Sequence, residues 1–123
     1  MKKVLIVDDS SLLREDLKKM ISYIEGLQVI GEADKVEDAI KLINELEPDI
    51  ITLDINLRQG NGFDILSAIE AYDKIPTVIM FSNYANSAYR RTANVFGSNY
   101  FFDKSTDIEA LLDTLHKLGS ERN

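Results

Sequence analysis

The chain of 123 residues contains no cysteine, so it has neither a disulfide framework nor a thiolate metal site, which suits the cytosol. It also lacks an apolar stretch long enough to span a bilayer, and the apolar run near the N-terminus stops at Val7, too early for a signal peptide. Basic residues are in the minority, and the net charge is −7. An acidic surface repels nucleic acid and anionic membranes. We therefore expect a cytoplasmic domain that neither inserts into a membrane nor binds nucleic acid directly.

The composition is that of a globular domain. Hydrophobic residues make up 45% of the chain and charged residues 28%, and a chain of this length can bury a sizeable core. No internal repeat, low-complexity stretch or linker is visible. We expect one domain over residues 1–123, with its core at about 2–118. Only the polar segment GSERN follows Leu118, so we expect no effector domain.

Short apolar runs alternate with amphipathic segments along the chain. The runs are rich in β-branched and aromatic residues, which is typical of strands, and three of them show no polar alternation, as in parallel sheets covered on both faces. Five βα units predict an α/β fold with a doubly wound, flavodoxin-like sheet of strand order 2-1-3-4-5. The predicted strands are 3–7, 27–33, 49–53, 77–81 and 99–102, and the fourth helix is 84–96.

Two capping-box patterns predict helix starts. Asp34 is followed three residues later by Glu37, and Thr106 by Glu109, a spacing that lets two side chains satisfy free backbone amides at a helix N-terminus. We expect the second and the last helix to begin there.

Polar side chains follow the predicted strands at one edge of the sheet. Asp8 and Asp9 end the first strand, Asp54 the third, Ser82 the fourth, and Lys104 follows the fifth. Ligands of open α/β sheets bind beyond these strand ends, near the point where the strand order reverses. Three carboxylates so close together repel each other unless a cation joins them. Oxygen ligands without histidine or cysteine favour Mg²⁺.

A hard cation beside carboxylates, a lysine and a hydroxyl suits phosphoryl transfer. The metal and the ammonium group neutralise phosphoryl oxygens, and one carboxylate can act as nucleophile. Asp54 is the better nucleophile candidate because it stands alone at the end of the central strand, while Asp8 and Asp9 share the metal.

The segments VLIVDDSSLLR, PDIITLDINLRQGNGFDIL, VIMFSN and GSNYFFDKS resemble the receiver domain of bacterial two-component response regulators. The likeness covers about residues 2–118, with the motifs in the family's order. It implies a signalling switch that takes a phosphoryl group from a histidine kinase or a histidine phosphotransfer protein, with Mg²⁺ as cofactor. The switch then changes its helix 4–strand 5–helix 5 surface to control a downstream protein target. Such a domain catalyses only its own phosphorylation and slow dephosphorylation. Homodimerisation through that surface is common in the family, and the sequence leaves it open.

The resemblance also implies a role for each site residue. Asp54 is the phosphorylated aspartate and a metal ligand, together with Asp8, Asp9 and the backbone carbonyl of Asn56. Lys104 pairs with the phosphoryl group.

The remaining matches concern the switch and its output. Ser82 is the switch hydroxyl, Phe101 takes the switch aromatic position, and Asn56 and Tyr84 match positions that tune dephosphorylation. Aromatic residues are concentrated in the region that the family uses for output. We expect a partner surface formed by Tyr84, Tyr89, Arg90, Arg91 and Phe101.

Three positions depart from the family pattern. Ser105 stands where a proline with a cis bond usually follows the lysine. A cis bond without proline costs roughly 3–4 kcal/mol, so we expect a trans Lys104–Ser105 bond. Arg58 replaces a common proline in a glycine-rich loop, and Phe101 replaces the commoner tyrosine, which removes a hydroxyl. None of these changes removes a residue needed for phosphoryl transfer.

Three alternatives remain at this point. The chain could be a receiver domain separated from a DNA-binding transcriptional regulator. The segment ITLDINL also resembles the motif of haloacid-dehalogenase-type phosphatases, but Asn56 stands where those enzymes need a second aspartate. A flavodoxin-type FMN module would place a phosphate after the first strand, where Asp8 and Asp9 would repel it.

Overall fold

The computed structural model describes residues 1–121. Within this part of the chain five strands and five helices alternate. The strands are β1 (Lys2–Val7), β2 (Leu27–Ala33), β3 (Ile50–Leu53), β4 (Thr77–Ser82) and β5 (Tyr100–Asp103). The helices are α1 (Ser11–Ser22), α2 (Val36–Leu46), α3 (Gly62–Ile69), α4 (Ser87–Val95) and α5 (Ile108–Ser120).

The strands form one parallel sheet in the order β2-β1-β3-β4-β5. The predicted fold and strand order are confirmed. Val7 pairs with Leu53 and Ser82 pairs with Asp103, so the ends of neighbouring strands are in register. The strand order reverses between β1 and β3, which opens a crevice at their carboxyl ends.

Two apolar layers cover the sheet. One layer packs between the sheet and α2, α3 and α4, and the other between the sheet and α1 and α5. Successive residues of β1 enter opposite layers, with Leu5 and Val7 in the first and Val4 and Ile6 in the second. Both faces of the strand are therefore dry, which explains why β1 is apolar without alternation.

Thr52 is a buried polar residue in the middle of β3. It is 2% exposed, and its hydroxyl oxygen has no hydrogen-bond partner among the described residues. Its neighbours on the adjacent strands are Ile6 and Ile79. A hydroxyl that is desolvated without a partner lowers the stability of the fold.

Both predicted capping boxes are wrong. The cap residues of α2 and α5 are Lys35 and Asp107, and neither side chain accepts a hydrogen bond from its helix. The Asp34 carboxylate lies 3.4 Å from the Arg58 guanidinium instead. A capping box does form at α3, where the Asn61 side chain accepts from the backbone of Asp64 and Asp64 accepts in return from that of Asn61.

The fourth helix begins later than the predicted residue 84. It runs from Ser87 to Val95, because the Asn86 side chain accepts a hydrogen bond from the backbone N–H of Tyr89 and caps it. Of the helices formed by residues 1–121, none combines the length and apolar character of a membrane span.

Candidate functional site

Three carboxylates meet where β1 and β3 end. One oxygen from each of Asp8, Asp9 and Asp54 lies within 4.8 Å of the others. Asp8 and Asp54 are 2% and 5% exposed, whereas Asp9 is exposed. The structure thus brings together the three acids that the sequence grouped. An all-oxygen set with one solvent-facing member fits a hard divalent cation such as Mg²⁺.

The Lys104 ammonium group lies between the two buried carboxylates. Its nitrogen is 2.7 Å from Asp8 Oδ2 and 2.7 Å from Asp54 Oδ2. Residues 1–121 contain no cis peptide bond, so the trans Lys104–Ser105 bond is confirmed. The backbone N–H of Ser105 donates to Asp103 Oδ1 at 2.8 Å, and that of Lys104 donates to the Ser82 carbonyl at 3.1 Å. These bonds fix the turn that presents the lysine without a proline.

Two groups of this cluster, Asp8 and Lys104, have shifted pKa values. Burial raises the pKa of Asp8, even though the Lys104 ammonium and the Ser10 amide donate to its carboxylate. Burial also opposes the charge of Lys104, but hydrogen bonds to Asp54 and Asp8 outweigh it and raise the lysine pKa. Ionisation of Asp8 is therefore less favourable in the folded domain than in water, and a further cation nearby would offset that cost.

Arg14 holds the backbone beside Asp8, a contact that sequence reasoning missed. One of its terminal nitrogens donates to the Asp8 carbonyl at 2.6 Å, and its Nε donates to Glu32 Oε1 at 2.7 Å on β2. Hydrogen bonds from Lys18 and Arg14 lower the pKa of Glu32. The only signal in the sequence is the position of Arg14 in the first turn of α1, six residues after the aspartate.

The loop between β3 and α3 packs closely against Asp54. The Gly62 amide donates to the Ile55 carbonyl at 2.7 Å, and a side chain at Gly62 would place its Cβ 2.5 Å from the Asp54 carbonyl oxygen. Asn56 is exposed, and its backbone N–H donates to Asp54 Oδ1 at 3.4 Å. The sequence indicated a glycine-rich loop here, but not that Gly62 lets α3 begin directly against the backbone of Asp54.

Ser82 and two tyrosines flank the carboxylates on the β4 side. The Ser82 side chain is fully buried, and its oxygen accepts a hydrogen bond from the Tyr84 amide at 3.1 Å. The rings of Tyr84 and Tyr89 lie 5.5 Å apart. Together with Asn56 and Phe63 they line a cleft of about 280 Å³. The two residues predicted to tune dephosphorylation, Asn56 and Tyr84, thus share one cleft.

The predicted partner surface is unevenly exposed. Tyr84 and Arg91 are exposed, whereas Tyr89, Arg90 and Phe101 are half-buried. The Arg90 guanidinium lies over the Phe101 ring, 4.9 Å from its centre. Arg90 is therefore engaged within the domain, whereas Arg91 faces solvent.

The family model described as response regulator receiver domain matches residues 4–116. The chain belongs to this family. Membership in this family argues against the phosphatase and flavodoxin-type alternatives. The acidic cluster corresponds to the one at which receiver domains bind Mg²⁺.

Relatives of known description support this assignment. The chemotaxis protein CheY of Thermotoga maritima is 33% identical over 117 residues, which cover 95% of this chain and 97% of CheY. The sensory transduction protein LytT of Bacillus cereus is 34% identical over 122 residues, 99% of this chain and 49% of LytT. The chain spans about half the length of several curated relatives that it matches.

A solved structure shows the same fold with ligands. It is a CheX–CheY–BeF₃–Mg complex from Borrelia burgdorferi, with 31% identity, a TM-score of 0.83 and coverage of 98% of this chain and 90% of that one.

Proposed function

We propose that this receiver domain is a phosphorylation-activated switch, in which Asp54 accepts a phosphoryl group from a histidine kinase or a histidine phosphotransfer protein. The observation that carries the proposal is the Lys104 ammonium, 2.7 Å from the carboxylates of both Asp8 and Asp54, at the strand-order reversal of the sheet. A buried carboxylate beside a cation and two further acids suits a phosphoryl acceptor.

Asp8, Asp9, Asp54 and the backbone carbonyl of Asn56 would hold Mg²⁺. When bound, the ion would neutralise negative charge on the phosphoryl oxygens. The number of acids supports this assignment, since the cluster contains three carboxylates and the Lys104 ammonium pairs with only two of them.

The chain's own residues would divide the chemistry as follows. A carboxylate oxygen of Asp54 forms the new bond to phosphorus while the phosphorus–nitrogen bond of the donor phosphohistidine breaks and its imidazole leaves. Lys104 donates to a phosphoryl oxygen. The Ser82 oxygen already accepts from the Tyr84 amide, so its hydroxyl proton is free to donate to the same group. Phosphorylation replaces the single charge of the Asp54 carboxylate with the roughly −1.5 to −2 charges and the three acceptor oxygens of a phosphoryl group, and this change is what Ser82 and Lys104 respond to.

The output would be a changed surface on α4, β5 and α5 that a downstream protein reads. Ser82 ends β4 and Phe101 lies on the neighbouring β5, so a shift of the serine can be passed to this surface. The Borrelia relative, in complex with CheX, BeF₃ and Mg²⁺, supports partner binding by a domain of this fold. The same surface would also bind a second copy of this chain in a homodimer.

A second role is that of receiver module in a longer regulator. It is favoured by the relatives LytT and NarL, of which the chain covers 49% and 53%. The phosphoryl chemistry at Asp54 is common to both roles.

Intact mass spectrometry tests the proposal. The protein is incubated with a small-molecule acyl phosphate, with and without Mg²⁺, beside Asp54→Asn and the control Asp73→Asn, which changes an exposed acid. We expect one added phosphoryl group in the wild type and the control, only with Mg²⁺, and none in Asp54→Asn. If the wild type gains nothing while the same donor labels another receiver domain, the proposal is wrong.

A further inference from the structure

Arg90 joins three segments of the proposed output surface. Its Nε donates to the Ala85 carbonyl at 2.8 Å, in the turn between β4 and α4, and Nη1 donates to the Phe101 carbonyl of β5 at 3.1 Å. Nη2 lies 3.6 Å from Asp107 Oδ2, at the start of α5. The central carbon of the guanidinium group also lies over the Phe101 ring, 4.9 Å from its centre. One side chain on α4 thus contacts the β4–α4 turn, β5 and α5.

Each of these contacts leads back to the candidate site. The turn that contains Ala85 begins at Ser82, whose oxygen accepts from the Tyr84 amide. Asp107 Oδ2 accepts from the Asp103 amide at 2.9 Å, and Asp103 directly precedes Lys104. Arg90 is therefore linked through short hydrogen-bonded segments to the switch hydroxyl and to the lysine.

We propose that Arg90 is a latch that holds the β4–α4 turn, Phe101 and the start of α5 in the arrangement of the unphosphorylated domain. This inference rests on the proposed function. In the present arrangement Lys104 pairs directly with Asp54 Oδ2, the contact expected of an unmodified carboxylate. The Arg90 contacts coexist with that pair. A movement of the turn and of Phe101 on phosphorylation breaks them, so they favour the unphosphorylated arrangement.

The size of the effect follows from the exposure of the contacts. The side chains of Arg90 and Asp107 are 41% and 33% exposed, so solvent screens their ion pair. A cation–π contact at such a site shifts a two-state equilibrium roughly two- to five-fold. A ligand that binds only the rearranged domain gains apparent affinity in proportion to the population of that arrangement. Removal of the latch should therefore strengthen the binding of a phosphoryl mimic by roughly two- to five-fold.

The test is a titration of the chain with beryllium fluoride in the presence of Mg²⁺, followed by amide NMR. Arg90→Ala should bind the mimic more tightly than the wild type. Arg90→Lys should do the same, since an ammonium group cannot bond two carbonyls and stack on the ring at once. It keeps the charge and the aliphatic stem, so it tests the latch even if Arg90→Ala does not fold. The control is Lys41→Ala, which removes an exposed basic side chain on α2, outside the proposed output surface; we expect it to match the wild type.

The outcomes separate the latch from the proposed function. If both Arg90 variants bind beryllium fluoride with wild-type or weaker affinity, while the wild type binds it normally, the latch is refuted and the switch stands. A purely structural role of Arg90 gives that result, with lower stability and no gain in affinity. If the wild type does not bind the mimic with Mg²⁺, both proposals are overturned.

Discussion

Replacing Lys104 with glutamine removes the ammonium group that two buried carboxylates share. The side chains of Asp8 and Asp54 are 3% and 6% exposed, and that of Lys104 is 14% exposed. Breaking a buried ion pair while its partner stays buried costs about 3–5 kcal/mol. Lys104 is slightly open to solvent, so we expect the free energy of unfolding to fall by about 3 kcal/mol at pH 7 without Mg²⁺. That is a large share of the stability of a small domain.

The loss should depend on pH in a defined direction. Burial already raises the pKa of Asp8, and losing the ammonium group raises it further. A carboxyl whose pKa is higher in the folded state binds more protons there, so acidification stabilises the variant. The difference from the wild type should shrink as the pH falls from 7 towards 5. It should also shrink at alkaline pH, because the raised pKa of Lys104 contributes stability that is fully present below the unfolded value and lost as the pH rises through the folded one.

Urea unfolding followed by circular dichroism measures these changes, since the chain has no tryptophan. The control is Lys41→Gln, which removes an exposed lysine on α2 and should leave stability within about 0.5 kcal/mol of the wild type. Mg²⁺ should restore part of the loss, because it supplies the missing positive charge. A loss below ~1 kcal/mol at pH 7, or one that grows on acidification, would refute this account of the cluster.

Three further substitutions test other parts of the structure. Asp8→Asn should raise the free energy of unfolding without Mg²⁺, because burial disfavours the ionised carboxylate. It should also weaken stabilisation by Mg²⁺. Lower stability of the variant in urea unfolding without the ion would disprove this. Gly62→Ala forces a Cβ to within 2.5 Å of the Asp54 carbonyl oxygen. It should lower the free energy of unfolding in urea by about 1–3 kcal/mol and slow phosphorylation in the mass assay. Wild-type values in both assays would contradict the close packing. Thr52→Val removes a buried hydroxyl that has no hydrogen-bond partner among residues 1–121. It should raise the melting temperature by an amount that corresponds to about 1 kcal/mol of stability. A lower melting temperature would mean that the hydroxyl does make a hydrogen bond.

The fold follows from short-range patterns. Strands buried on both faces, such as β1, and amphipathic helices, such as α5, can be recognised from the spacing of their apolar residues. Once five βα units are recognised, the handedness of their connections leaves few strand orders. The carboxyl ends of parallel strands meet at one edge, so the sequence alone predicts that Asp8, Asp54 and Lys104 lie close together.

The helix caps and the supporting contacts depend on distant segments. Asp34 pairs with Arg58 from another loop instead of capping α2. Arg14 reaches the Asp8 carbonyl, and Arg90 reaches β5 and α5. Apart from the position of Arg14 close after Asp8, the sequence does not indicate these partners, because the competing hydrogen bonds form only after the helices have packed on the sheet.

The most direct test of the central claim is to locate the phosphoryl group. The labelled protein is reduced with borohydride, which converts an aspartyl phosphate into homoserine, and the modified residue is identified by tandem mass spectrometry. Our account predicts that the conversion occurs at position 54 alone, requires Mg²⁺, and is absent in Asp54→Asn. Conversion at Asp8 or Asp9, or labelling that persists in Asp54→Asn, would contradict it.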